Sequence, residues 1–91
     1  MVQALDPNRV IEADELLVVS AGDQKTRIYK GALMRVQKKL AELEFYKGSI
    51  DGTYSDKTRF AITEFQQSRG LNITGIPDQV TLLNLLRGKE S

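Results

Sequence analysis

The chain has 91 residues and a net charge of +1, with 41% apolar and 27% charged residues, a profile typical of one small globular domain. The absence of Cys and His excludes disulfides and thiolate sites, and it removes the commonest metal ligand and the commonest general base at neutral pH. We therefore predict no enzyme, no cofactor and no metal site, and the small net charge argues against a nucleic-acid binder.

The first 30 residues form an N-terminal arm in which two patterns compete. Asp6 followed by proline is a good helix start, and an apolar stripe continues from it as far as Leu17. The apolar runs on either side of Gly22-Asp23 are instead typical of a β-hairpin. We predict a short helix from Asp6 followed by an irregular, partly extended segment, with the hairpin as the open alternative.

Charge is distributed unevenly along the chain. Residues 24–41 hold six bases and no acid, whereas residues 1–23 hold five acids and one base. One interpretation is a solvated basic helix face that contacts the acidic N-terminal segment. The other is a cationic patch for an anionic polymer such as cell-wall material.

Helical periodicity appears in three later segments of the chain. The first helix is predicted over residues 32–44. The second is predicted over residues 55–70, with Ser55 as its N-cap. The third is predicted over residues 78–88, with Asp78 as its N-cap, where the negative charge also suits the positive end of the helix.

The connectors that precede the second and third helices are built alike. Ile50–Thr58 and Ile73–Thr81 share an isoleucine, a glycine two residues on, a capping Ser or Asp three further and a threonine three beyond that. Gly48 is expected to supply the left-handed conformation that ends the first helix. The predicted fold is therefore all-α, a compact three-helix bundle over residues 31–88, with two similar Ile-x-Gly connectors, the N-terminal arm of residues 1–30 and a tail of residues 89–91. The side chains expected in its core are Leu40, Ile50, Ala61, Ile62, Phe65, Ile73 and Leu83.

Four motifs follow one another in order across residues 33–87. They are Val36-Gln37-x-x-Leu40, Phe45-Tyr46-x-Gly48-x-Ile50-Asp51-Gly52, Thr58-x-x-Ala61-Ile62-x-x-Phe65-Gln66 and Gly70-Leu71-x-x-Thr74-Gly75. In this order and spacing they resemble the peptidoglycan-binding domain of bacterial cell-wall hydrolases and envelope proteins. The chain departs from the usual pattern at Glu44 and Ser55, where glycine is common, and residues 1–30 lie outside the resemblance.

The resemblance implies a non-catalytic module that binds the glycan strands or the peptide stems of bacterial peptidoglycan. It implies a place in the cell envelope, periplasmic or extracellular, within a longer protein that the module anchors or targets. We expect a monomer. We also expect no membrane insertion, because the sequence has no apolar run long enough to span a bilayer, and we find no signal peptide in it. The alternative is a protein-interaction or scaffold domain on the same fold, with the N-terminal arm as the contact to a protein partner.

The candidate binding residues lie on and beside the first connector, where the two copies of the repeat differ; the second connector is expected to be scaffold. Aromatic rings suit the apolar faces of sugars, and cationic side chains suit the carboxylates of peptide stems. The structural alternatives are a partly buried core edge for each tyrosine and hydrogen bonds within its own turn for Asp51. Gln66 is expected to satisfy buried backbone groups. The predicted site residues are Tyr46, Lys47, Asp51, Tyr54, Lys57 and Arg59.

Overall fold

The computed structural model describes residues 14–86, and this part of the chain begins with a β-hairpin. Strand β1 (Leu16–Ala21) pairs antiparallel with strand β2 (Gln24–Tyr29) across a two-residue turn. Gly22 opens the turn with a φ of 62°, the left-handed conformation that such hairpin turns require. The all-α prediction is therefore wrong, because a two-stranded sheet is combined with the three helices.

The hairpin turns every second side chain of β1 toward the core. Leu17, Val19 and Ala21 of β1 pack against the core, and Val19 and Ile28 are buried. This period of two outweighs the helical stripe that the sequence also offers as far as Leu17. The remainder of the short helix predicted from Asp6 lies outside the described residues.

Three helices follow the hairpin, as the sequence predicted. They are α1 (Lys30–Glu42), α2 (Asp56–Ser68) and α3 (Gln79–Leu86). Helix α1 continues directly from β2, and Asp14 caps its start, since its Oδ1 accepts a hydrogen bond from the Gly31 N–H at 2.8 Å. Because α1 packs against α2, α3 and β2, the hairpin and the helices share one core.

Helix α1 ends at a residue that is not glycine. Leu43 is the C-cap, and Glu44 next to it adopts a φ of 71°. The prediction that Gly48 supplies the left-handed turn is wrong, because Glu44 supplies it. Gly48 has a different role, since a Cβ at this position would lie 2.6 Å from the Tyr46 hydroxyl oxygen. Close approach of the tyrosine therefore requires glycine there.

The core lies where the hairpin meets the three helices. Four of the predicted core residues are confirmed as buried, namely Leu40, Ala61, Ile62 and Phe65. The other buried apolar side chains are Val19, Ile28, Leu33, Val36, Tyr46, Ile76 and Leu85.

The prediction of a core position is wrong for three residues. Ile50, Ile73 and Leu83 are 42%, 56% and 47% exposed. In the connectors it is the backbone, rather than the isoleucine side chain, that turns toward the interior. In α3 the buried positions are Thr81 and Leu85, one turn apart, so Leu83 lies on the outer face.

Candidate functional site

A buried glutamine on α1 holds the first connector. The Gln37 Oε1 accepts a hydrogen bond from the Gly52 N–H at 2.8 Å. Its Nε2 donates to the Thr53 carbonyl oxygen at 3.0 Å and to the Thr58 Oγ1 at 3.1 Å. Because the Gln37 side chain has no exposed surface, these bonds replace the water that the connector backbone would otherwise need.

A second buried glutamine, on α2, holds the second connector in the same way. The Gln66 Oε1 accepts from the N–H groups of Thr74 and Gly75, both at 3.0 Å. Its Nε2 donates to the Ile76 carbonyl oxygen at 3.1 Å and to the Thr81 Oγ1 at 2.8 Å. The prediction that Gln66 satisfies buried backbone groups is confirmed. We call these two arrangements the glutamine clamps.

The helix starts beside the clamps are also alike. The Ser55 Oγ accepts from the Thr58 N–H at 3.3 Å, and the Asp78 Oδ1 accepts from the Thr81 N–H at 3.0 Å. Both predicted N-caps are therefore confirmed. Thr58 and Thr81 are buried, and each links a cap to a glutamine, so the sequence repeat is a structural repeat.

Tyr54 joins the two connectors. Its hydroxyl donates a hydrogen bond to the Gly75 carbonyl oxygen, and its ring packs half-buried against the core. Burial raises the pKa of Tyr54 above its ordinary value, with Asp56 acting in the same direction and Arg59 in the opposite one. Tyr54 and Arg59, two of the predicted site residues, therefore lie near each other.

A groove runs between β1 and the two connectors, and we call it the connector groove. The cleft at one end, of about 410 Å³, is lined by Glu15, residues 17–20, Lys30 and residues 52–54. The cleft at the other end, of about 390 Å³, is lined by residues 20–22, Arg59, Thr63 and residues 73–75. The two clefts adjoin, since Ser20 lines both. Each has a volume in the range of ligand-binding clefts.

Two of the six predicted site residues are engaged in the fold. Tyr46 is 5% exposed and its hydroxyl donates to the Ser49 carbonyl oxygen at 2.6 Å, so its ring is not available to a sugar. Asp51 is exposed, but its Oδ1 accepts from the Thr53 N–H at 3.0 Å and from the Gln37 Nε2 at 3.5 Å. Tyr46 therefore has the core position, and Asp51 the hydrogen bonds within its own turn, that the sequence analysis gave as alternatives to ligand binding.

The other four are at least partly accessible, but the groove brings only two of them together. Tyr54 lines the first cleft and Arg59 lines the second, whereas Lys47 and Lys57 are exposed and line neither. Arg59 pairs with Asp56 at 3.3 Å. Since such exposed ion pairs contribute little, the guanidinium can exchange this partner for a carboxylate of a ligand.

Sequence reasoning missed half of the groove. One wall is β1 with Ser20, which was predicted as part of an irregular arm, and residues 73–75 were expected to be scaffold although they line the second cleft. The apolar runs on either side of the Gly22-Asp23 turn signal, which are typical of a β-hairpin, could have located this wall. Nothing in the sequence places it beside the connectors.

The charge in the groove is small and slightly positive. Its charged lining residues are Glu15, Lys30 and Arg59. Over residues 14–86, the acidic side chains form no group that could hold a metal ion. In that same part of the chain, no helix has the length and apolar character needed to cross a bilayer.

Comparison with known families identifies the helical part of the fold. The family model of the peptidoglycan binding domain matches residues 30–85, which include both glutamine clamps, Tyr54 and Arg59 and exclude the hairpin. Neither the curated proteins nor the solved structures gave a significant match. The resemblance in the sequence is thereby confirmed. Because the matched range covers more than half of the chain, this protein belongs to the peptidoglycan-binding domain family.

Proposed function

We propose that this domain binds bacterial peptidoglycan without catalysing a reaction, and that it anchors or targets a larger envelope protein at the cell wall. The proposal is carried by the family match over residues 30–85, since the family consists of non-catalytic binding modules. The connector groove supports it, because Tyr54 and Arg59 of the matched range line two clefts that share Ser20. The domain acts as a monomer, periplasmic or extracellular, and does not bind nucleic acid or insert into a membrane.

The two groove residues have complementary chemistry for this polymer. The half-exposed Tyr54 ring offers an apolar surface to a sugar face, and Arg59 offers N–H donors to a carboxylate of a peptide stem. Lys47, Asp51 and Lys57 are exposed and line neither cleft, and they add peripheral contacts to the polymer. Contacts of this kind are individually weak, so the affinity for one repeat of the polymer is modest. The wall offers many such repeats, and therefore many binding sites.

Co-sedimentation of the full chain with purified sacculi tests the function. We expect the wild-type chain to pellet, and Arg59→Ala and Tyr54→Ala each to weaken pelleting roughly tenfold. Arg35→Ala and Tyr29→Ala are the matched controls, because both side chains are exposed and neither lines the groove. Urea unfolding of each variant separates loss of contact from loss of fold.

The outcomes separate the function from the site. A wild-type chain that stays in the supernatant at low salt overturns peptidoglycan binding. Unchanged pelleting of the Tyr54→Ala/Arg59→Ala double variant overturns the assignment of the groove and leaves the function standing.

The alternative function is a protein-interaction domain that has lost wall binding. The observation that favours it is the outer face of the hairpin, where Leu16, Val18 and Tyr29 are 48%, 68% and 47% exposed and lie outside the family match. A single stoichiometric partner in a pull-down, together with no binding to sacculi, supports this alternative.

A further inference from the structure

The connector groove is lined by a strand edge whose backbone groups point into it. In a hairpin with a two-residue turn, the residues that flank the turn exchange both ladder hydrogen bonds, and alternate pairs follow the same rule. The pairs 21–24, 19–26 and 17–28 are therefore the hydrogen-bonded ones. The N–H and C=O groups of Val18 and Ser20 consequently point away from β2.

The lining of the groove shows that this free edge faces the connectors. The successive residues 17–20 of β1 line the first cleft, although their side chains alternate between the two faces of the sheet, and no residue of β2 lines either cleft. The groove must therefore lie along the edge of β1. Within residues 14–86, no backbone group outside the hairpin is hydrogen-bonded to Val18 or Ser20.

A strand edge of this kind recognises extended peptides. A peptide that lies along it continues the sheet through main-chain hydrogen bonds, and neighbouring pockets receive its side chains. The opposite wall is formed by residues 52–54 and 73–75 of the two connectors.

Charge selects the kind of peptide and its orientation. The second cleft has one charged lining residue, Arg59, whereas the first has Glu15 and Lys30. Ser20 is exposed and lines the same cleft as Arg59, and its hydroxyl is a hydrogen-bond donor. A carboxylate is therefore favoured in the second cleft and a neutral segment in the first.

We propose that the free edge of β1 binds the peptide stem of peptidoglycan as an added strand, with a carboxylate of the stem bound by Arg59. This inference rests on the proposed function and specifies it, since it states how the stem is recognised. It also gives the hairpin, which precedes the matched family range, a direct part in binding.

The test follows backbone amides of the full chain by NMR during titration with a soluble stem peptide. We expect the Val18 and Ser20 N–H groups to become protected from hydrogen exchange. The Arg27 and Lys25 amides are the internal control, because they are the cross-strand partners of Val18 and Ser20 and point to the opposite edge of the hairpin. They are expected to exchange at unchanged rates.

A pair of variants tests the same edge independently. Val18→Pro removes an N–H that the ladder does not use, and proline is tolerated at such an edge position, so the hairpin is retained. Val18→Pro is expected to weaken binding of the stem peptide roughly tenfold. Arg27→Pro, compared with Arg27→Ala to account for the lost charge, makes the equivalent change on β2 and is expected to leave binding unchanged. Amidation of the stem carboxylates is expected to weaken binding to the wild type and not to Arg59→Ala.

Several results would overturn the proposal. If sacculi and peptide-free glycan strands bind but the stem peptide protects neither amide, strand addition is wrong and peptidoglycan binding survives. If the stem peptide protects the edge but sacculi do not pellet the chain, the proposed wall function fails. Equal protection by an unrelated extended peptide makes the edge a general protein-docking site. If the Val18 and Ser20 amides are already protected from exchange in the free chain, the chain itself covers the edge and strand addition is wrong. Should Val18→Pro fail to fold, the wild-type exchange measurement still decides.

Discussion

Gln37 and Gln66 occupy equivalent places in the two halves of the fold, each extending from a helix to the backbone of the connector that precedes the next helix. Gln37 accepts from the Gly52 N–H at 2.8 Å, and Gln66 accepts from the Gly75 N–H at 3.0 Å. Neither side chain has exposed surface. The shape of each connector therefore depends on the helix that comes before it.

Replacement of a clamp glutamine is expected to destabilise the whole domain. Gln66→Leu leaves the N–H groups of Thr74 and Gly75 without their acceptor, whereas the Ile76 carbonyl oxygen keeps its hydrogen bond from the Asp78 N–H at 2.9 Å. Loss of these buried partners costs about 2–4 kcal/mol in the free energy of unfolding, measured by urea denaturation. Gln67→Leu, at the exposed neighbouring position, is the control and should change stability by less than about 0.5 kcal/mol. Equal stability of the two variants would show that the clamp is dispensable.

Two glycines with similar backbone conformation are expected to respond differently to alanine. Gly70 and Gly75 have φ values of 71° and 78°, so alanine at either position costs about 1–2 kcal/mol in backbone strain. A Cβ at Gly70 meets no atom within 4 Å, whereas one at Gly75 lies 3.3 Å from the Ala21 Cβ. Gly75→Ala should therefore lower the free energy of unfolding by more than Gly70→Ala does. A double-mutant cycle with Ala21→Gly should recover the difference, and a zero coupling energy would contradict the contact.

The two N-caps are expected to differ in strength. The Asp78 carboxylate accepts from the Thr81 N–H at 3.0 Å and from the Thr74 hydroxyl at 3.0 Å, whereas Ser55 accepts from the Thr58 N–H at 3.3 Å. Ser55→Ala should cost about 0.5–1 kcal/mol and Asp78→Ala about 1–2 kcal/mol of unfolding free energy. Thermal unfolding of the two single variants under one buffer condition checks the order. A larger effect at Ser55 would contradict it.

Tyr54 is expected to make stability fall at alkaline pH. Burial raises its pKa in the folded state above the unfolded value of about 10, so the folded state favours the protonated phenol. This contribution is fully present below about pH 10 and is lost as the pH rises through the folded-state pKa. Tyr54→Phe should show a shallower alkaline loss of unfolding free energy than the wild type, and Tyr29→Phe serves as the matched control. Parallel curves for the wild type and Tyr54→Phe would contradict the prediction.

Features determined by short-range interactions were predictable from the sequence. Ser55 and Asp78 lie three residues before the threonines whose N–H groups donate hydrogen bonds to them, so this spacing alone identifies the two caps. The role of Gln66 followed from its place beside a core phenylalanine. The three helices followed from their apolar periodicity, and the ordered motifs identified the family.

Features determined by long-range contacts were not predictable. Fifteen residues separate Gln37 from Gly52 but nine separate Gln66 from Gly75, so the sequence repeat does not reveal that both connectors have the same clamp. Because the sequence alone does not show the clamps, it predicts that Ile50 and Ile73 are core residues. The segment around Leu17 fits a helix or a strand, and pairing with β2 decides between them.

Some expectations remain predictions. The division into an arm of residues 1–30, a domain of residues 31–88 and a tail of residues 89–91 is one of them, and so are the ligand contacts of Lys47, Asp51, Lys57, Tyr54 and Arg59. The shared core of hairpin and helices suggests that a chain cut at residue 30 loses stability, and urea unfolding of the shortened chain measures this.

The glutamine clamps also bear on the entropy of binding. An ordinary surface loop loses conformational freedom when a ligand immobilises it, and this loss opposes association. Here the backbone of residues 52–53 and 74–76 is already held by buried side chains before any ligand arrives. The connectors are thus preorganised, and exposed positions on them can change in sequence, and with them the ligand preference, while the backbone that presents those positions stays in place.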